Sequence, residues 1–329
     1  MTIVHFNASV SGWNGIDGFI YPNSITSNFF LENRLYLGSI GVSLFFMLSG
    51  VTLMMTYKQG DLKRYYGKRI QNIFPMFWIA YAIAFAFDFL RWKGMSIANI
   101  KLWFFSLIGM DGYLGCMGLI GMDFYKLGEW FLGCLLLLYL IFPLLHYGVE
   151  KSPIFTTIFV FSGYALYMLG SHFWGWKFDD KLFFLRIPEL ILGMLFVKYD
   201  LRNKPKRLLA ITGLAAWLAI ILRKILDPLT LLIGVCVFLF ALLVCIGEKI
   251  NNASLKETLT KLAGLTYPVF LVHHWLIDRM VIGFDLANMN KRTVAMLFVI
   301  YIVLSFFLAY QLKRYSDKLV SYVKNLFKG

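Results

Sequence analysis

Apolar stretches long enough to be membrane helices recur along the whole chain, and the charge is collected in short gaps between them. A spanning helix needs about 20 mostly apolar residues. Of the 329 residues, 59% are hydrophobic and only 15% are charged, against roughly 25% charged in a soluble domain. A soluble fold of this size would have to carry much of that apolar area on its own surface. Lipid as the solvent removes the difficulty. The fold class expected is all-α, a polytopic transmembrane helix bundle.

Nine complete spans are predicted, at about Leu37–Tyr57, Ile73–Leu90, Leu127–Tyr147, Pro153–Gly170, Leu182–Val197, Leu208–Leu222, Pro228–Ile246, Leu262–Ile282 and Thr293–Leu312. Residues 91–126 form a long amphipathic connection with room for an interfacial or re-entrant piece. The tail from Lys313 to Gly329 is basic and amphipathic, and is expected to lie on the membrane surface. The gaps at 58–69 and 198–207 hold five Lys/Arg each, the gap at 249–261 holds three and the tail holds five. These gaps fall on one side if every span crosses once. The positive-inside rule makes that side the cytoplasm of a multi-pass cell-membrane protein whose C-terminus is inside. The net charge of +14 is thereby accounted for by topology, without a nucleic-acid partner.

The polar, turn-rich stretch 6–36 should then lie outside, with only Met1 to His5 before it. Either the N-terminus starts outside, or Met1–Phe6 is the end of a truncated first span. No cleavable signal peptide is visible, nor any internal repeat, and one domain over residues 1–329 is the economical reading. Cys116, Cys134, Cys236 and Cys245 are scattered and lack ligand spacing. His273 and His274 are adjacent, so at most one is expected to face the interior. No HxxxH spacing supplies a third ligand, which argues against a metal site.

Ionisable residues in or beside spans are the candidate functional residues. His5 suits general base work on a hydroxyl, or is simply solvated at an interface. Lys68 and Arg69 lie two turns before Pro75, and can hold phosphate oxygens or serve as topological charge. Glu129 opens a span and can cap the helix, hold a substrate hydroxyl or orient His5. Arg186 and Glu189 are three apart on one helix face, the spacing of a structural ion pair. Ser49 and Gly50 are of the small type that lets helices approach closely.

Taken in order, these segments resemble acyltransferase family 3, the integral membrane O-acyltransferases. The segment from Gly41 to Gly50 (Gly-Val-Ser-Leu-Phe-Phe-Met-Leu-Ser-Gly) is similar to the family's second span. Lys68-Arg69 through Ile73-Phe74-Pro75 is similar to the basic approach to its third. Glu129-Trp130-Phe131-Leu132-Gly133 with Tyr139 and Phe142-Pro143, Arg186 to Gly193, and Leu265-Thr266-Tyr267 to Leu271-Val272-His273 resemble three further segments. Two departures stand out. The Arg that the family places before its first-span His would fall ahead of Met1, and the third-span approach has Asn72 where the pattern is basic.

The resemblance implies transfer of an acyl group, usually acetyl, from cytoplasmic acyl-CoA (acetyl-CoA as donor substrate, with no permanently bound cofactor). The acceptor implied is a hydroxyl of a cell-surface polysaccharide or glycan, or of its lipid-linked sugar precursor. On this reading His5 and Glu129 are catalytic, while Lys68, Arg69, Ser49 and Arg186 contact the donor. No extracellular esterase-like domain is present, so the acceptor is modified directly or through a partner. The competing expectations are a transporter or flippase for a lipid-linked glycan, and a non-catalytic membrane scaffold.

Overall fold

The computed structural model describes residue 6 and residues 37–92, 102–120, 127–176, 179–281 and 289–326. His5 lies outside the described residues. Among them are twelve α-helices and no strand. In chain order the helices are α1 (Leu37–Thr56), α2 (Leu62–Trp92), α3 (Trp103–Leu107), α4 (Asp111–Cys116), α5 (Glu129–Lys151), α6 (Pro153–Trp174), α7 (Ile187–Lys198), α8 (Pro205–Ile221), α9 (Pro228–Glu248), α10 (Ala253–Ala263), α11 (Thr266–Val281) and α12 (Lys291–Leu326). Short 3-10 turns at Phe183–Arg186 and Leu201–Asn203 precede α7 and α8.

The fold is all-α, and every expected span coincides with a helix. Among the described residues, α1, α2, α5, α6, α9 and α12 are long and apolar enough to cross a membrane. The helices α7, α8 and α11 are shorter, at 12, 17 and 16 residues, or about 18 to 26 Å at 1.5 Å per residue. For α7 the cause is local: Pro188 stands in its first turn and the chain before it winds as a 3-10 turn.

The sequence sets the helix ends. Pro153, Pro205 and Pro228 begin α6, α8 and α9, where a missing N–H costs nothing. Asp227 caps α9 by accepting from the N–H groups of Leu229 and Thr230, each at 2.9 Å. Gly175 closes α6 in the left-handed region, and the Trp176 N–H folds back onto Gly170 O.

The connections carry helices of their own. The stretch 91–126 contains α3 and α4, of five and six residues, which are too short to cross. The ninth-span helix does not stop at Leu312. It runs unbroken through Lys313 to Leu326, 36 residues in all, so the tail continues α12 instead of forming a separate surface helix. In the gap at 249–261 stands α10, and the turn at Gly264–Leu265 sets α11 off from it.

The chain, expected to be one domain, groups into two compact units. The first comprises Met1–Leu31, Tyr66–Gly133 and Ala253–Gly329, and the second Glu32–Tyr65 and Cys134–Asn252. In the first unit, Phe6 packs with Leu276 and Ile277 of α11 and Val294, Leu297 and Tyr301 of α12. The Phe6 ring stacks on Tyr301 at 5.7 Å and meets Phe298 edge-on at 5.2 Å. In the second unit, α1 and α7 cross at backbone contact. A Cβ on Gly193 would lie 1.9 Å from Met47 O, and one on Gly50 would lie 2.2 Å from Leu190 O. Only glycine fits either place, and this is how membrane helices gain close contact without a hydrophobic drive. Met47, Tyr164, Leu185, Leu229, Leu232, Ile233 and Cys236 form the core around that crossing.

Candidate active site

Two clusters of buried ionisable side chains stand out, one in each unit. The first is built on the start of α5. Gly128 and Glu129 both have positive φ, +79° and +42°. For glutamate that conformation is strained, and such strain persists only where the surroundings enforce it. Here the enforcement is visible. A Cβ on Gly112 of α4 would lie 2.7 Å from the Glu129 carbonyl, so α4 presses directly on the Glu129 backbone. A Cβ on Gly133, one turn on, would meet the Tyr113 side chain at 2.4 Å. The position of α4 is in turn fixed by Asp111, which accepts from the Ser106 hydroxyl and the Gly112 N–H, both at 2.8 Å.

Held in this way, the Glu129 carboxylate meets His274 of α11, Oε1 to Nδ1. A carboxylate can only accept, so Nδ1 carries the hydrogen. Asp278, one turn further along α11, places Oδ1 4.0 Å from the His274 Nε2. The His274 side chain is 7% exposed, while Glu129 and Asp278 are 18% and 19% exposed, so the carboxylates are the reachable part of the cluster. Both histidines are buried, which corrects the expectation that only one would face inward. The His273 Nδ1 lies 2.7 Å from Phe270 O, and its own carbonyl accepts from the Tyr301 hydroxyl at 3.1 Å. In the first unit α11 has neighbours on more than one side, so adjacent residues 100° apart are both covered.

The same face of α11 leads to a cavity of about 630 Å³. It is lined by Gln71, Asn72 and Met76 of α2, Gly264 of the α10–α11 turn, Tyr267 and Pro268 of α11, and residues of α12 from Lys313 to Asn325. The Tyr267 hydroxyl donates to Ile73 O at 3.1 Å and fastens α11 to α2 beside it. Tyr267 and His274 are seven residues apart, two helical turns on one face and about 10 Å of rise. Lys68 is exposed and Arg69 half-buried. Being four and three residues before Asn72, they share its helix face.

The second cluster is built at the entry to α7. Arg186 is fully buried and reaches Glu189 with Nη1 and Asp180 with Nη2, both at 3.1 Å. Glu189 also accepts from the Ser43 hydroxyl of α1. Arg186 was a candidate donor contact, but both of its Nη groups already hold carboxylates, so the ion-pair alternative is the one present. Ser49 is buried beside Gly50 at the α1–α7 crossing, and its carbonyl accepts from Thr52 at 3.2 Å. That is a packing position.

The family model described as an acyltransferase domain, that of acyltransferase family 3, matches residues 1–314. The chain belongs to acyltransferase family 3. It is a membrane acyltransferase. No curated protein and no solved structure matches it. Of the sequence candidates in this acyltransferase, the structure joins Glu129 to His274, and it leaves Lys68 and Arg69 on α2 one turn before Asn72, outside the residues that line the cavity. It places Ser49 and Arg186 in the other unit. His274 was legible only as an ionisable residue in a span; its partner lies 145 residues away, and no local signal links them.

Proposed function

We propose that the protein transfers an acyl group, acetyl by family expectation, from cytoplasmic acyl-CoA to a hydroxyl of a cell-surface glycan or its lipid-linked precursor. The observation that carries this reading is the Glu129–His274 pair, two helical turns along one face of α11 from a polar cavity whose lining includes Lys313. The nucleotide end of the donor occupies the cavity, with Lys68 and Arg69 near its phosphates. The thioester extends along α11 towards Glu129.

The acceptor hydroxyl hydrogen-bonds to Glu129, whose carboxylate His274 aims. His5, the base that the resemblance implies, takes the hydroxyl proton as the oxygen attacks the thioester carbonyl. The tetrahedral intermediate collapses, the C–S bond breaks, and the proton passes to the departing thiolate, giving an ester and free CoA. Ser49 and Arg186 hold the scaffold and touch neither substrate.

The test uses the full chain in lipid nanodiscs with acetyl-CoA and an extract of lipid-linked saccharides, following release of CoA thiol. Wild type is expected to release CoA in an acceptor-dependent way. Glu129→Gln should reduce the rate about 10²- to 10⁴-fold, the range of a positioned acid–base group, with CoA binding retained. His5→Ala should fall to a similar level. Acceptor-dependent release by Glu129→Gln at the wild-type rate would sink the site, and no release from any acyl-CoA by wild type would sink the reaction.

A further inference from the structure

The cavity has a wall that the donor reading does not use. Lys313, Ser316, Asp317, Val320, Ser321 and Asn325 of α12 line it opposite the α2 residues. They recur every three or four residues, so one helix face supplies them all. This wall exists because α12 continues past its apolar part without a break. The acyltransferase family match ends at residue 314, so most of the wall lies outside the family domain.

Its chemistry suits a phosphorylated nucleotide. Lys313 is the one cation among the cavity-lining residues. Its ammonium pairs with Asp317 at 2.9 Å, and the two side chains are 39% and 62% exposed. Such an exposed pair is weak and easily exchanged for a stronger anion. The Lys313 stem passes the α10–α11 turn, since a Cβ on Gly264 would lie 3.9 Å from its Cε. Across the cavity, Gln71 and Asn72 offer amides where α2 brings no charge. Lys68 and Arg69 approach from the α2 side, and Lys313 comes from the other.

We propose that the terminal segment of α12, residues 313–325, is a working wall of the donor site in which Lys313 contacts a phosphate of the nucleotide end of acyl-CoA. The inference rests on the donor reading above. Lys313 exchanges Asp317 for the phosphate on binding, while Ser316, Ser321 and Asn325 add neutral hydrogen bonds to phosphate or ribose. The segment makes the site selective for a full nucleotide donor over one that carries only the thioester arm.

The experiment compares acetyl-CoA with acetyl-pantetheine, which lacks the nucleotide, using the full chain in nanodiscs of neutral lipid. Lys313→Gln should raise KM for acetyl-CoA about ten-fold, the loss of one charged hydrogen bond, and leave KM for acetyl-pantetheine unchanged. Asn72→Arg in the Lys313→Gln background should restore much of the acetyl-CoA KM by supplying a cation from the facing wall. Equal changes for both donors would mean a structural role and overturn the proposal, as would an unchanged acetyl-CoA KM. If Lys313→Gln alters only the response to added anionic lipid, the phosphate held is a headgroup and the proposal also fails. Failure of wild type to turn over or bind either donor would instead bring down the reaction itself.

Discussion

Glu129 with His274 and Glu189 with Arg186 are both buried acid–base pairs, yet they are built in opposite ways. Arg186 and Glu189 have no exposure, while Asp180, the second carboxylate on Arg186, is 38% exposed. The cation takes two carboxylates and Glu189 also takes the Ser43 hydroxyl, at the place where α1 and α7 touch backbone to backbone. The Glu129 cluster keeps its carboxylate 18% exposed, on strained backbone, on the helix face that leads to a cavity. Arg186 and Glu189 sit wholly inside the helix crossing, where they specify packing. Glu129 meets an imidazole and stays partly open. On the proposed reaction the first is a clamp and the second a working site, although both read from sequence as ionisable residues in apolar segments.

The largest effect expected from breaking this comparison is on folding. Removing one partner of a buried pair leaves an uncompensated charge and costs about 3–5 kcal/mol, a large share of a typical net stability of about 5–15 kcal/mol. Glu189→Ala should therefore abolish most of the monodisperse protein recovered by detergent size-exclusion. Glu129→Ala should leave recovery near wild type, because the carboxylate it removes is already 18% exposed. Similar losses for both variants would show that the two clusters are the same kind of object.

A mid-sized effect is expected from a residue that touches no substrate. Gly112 lies against the Glu129 backbone, where a Cβ would be 2.7 Å from the carbonyl. Overpacking of this kind costs about 1–3 kcal/mol, and here the strain falls on the residue that must be aimed. Gly112→Val should lower kcat for acyl transfer by about ten-fold or more while CoA binding is kept, since a small misplacement of a catalytic group has a large rate cost. Gly193→Ala should act on recovery instead. A Gly112→Val enzyme with wild-type kcat would show that α4 does not position Glu129.

These contrasts also explain what could be read from sequence. The nine helices were legible because lipid demands runs of apolar residues, and their ends because Pro153, Pro205, Pro228 and Gly175 act on the local backbone. Lys68, Arg69 and Glu129 were legible as costly polar residues in such runs. The partnership of Glu129 with His274 was not, nor that of Glu189 with Ser43, because each joins segments more than a hundred residues apart and nothing local encodes it. The α12 wall was hidden for a different reason: an amphipathic basic segment has the same composition whether it lies on lipid or lines a cavity. Donor contact and ion-pair partner stayed open for Arg186 because charge alone does not reveal Asp180 as its second partner.

The smallest effect sharpens the comparison by pH. Asp111 fixes α4 against Glu129 and lies in the connection between spans. Burial pushes its carboxyl above the ordinary value of 3.8, against the hydrogen bonds from Ser106 and Gly112, which pull it down. The folded protein therefore holds this proton to higher pH than the unfolded chain does, and binds more protons in the window that opens at about pH 4. Stability from this group is fully present below that window and is lost as pH rises through the raised value. Asp111→Asn is neutral throughout and keeps the shape, so it should remove the slope. Its melting temperature should exceed that of wild type by a few degrees at pH 7 and converge with it near pH 4. Because α4 presses on Glu129, the variant should keep its acyl-transfer rate. Parallel melting curves across the range would mean that Asp111 is ionised in the fold and that Ser106 and Gly112, not burial, decide its charge.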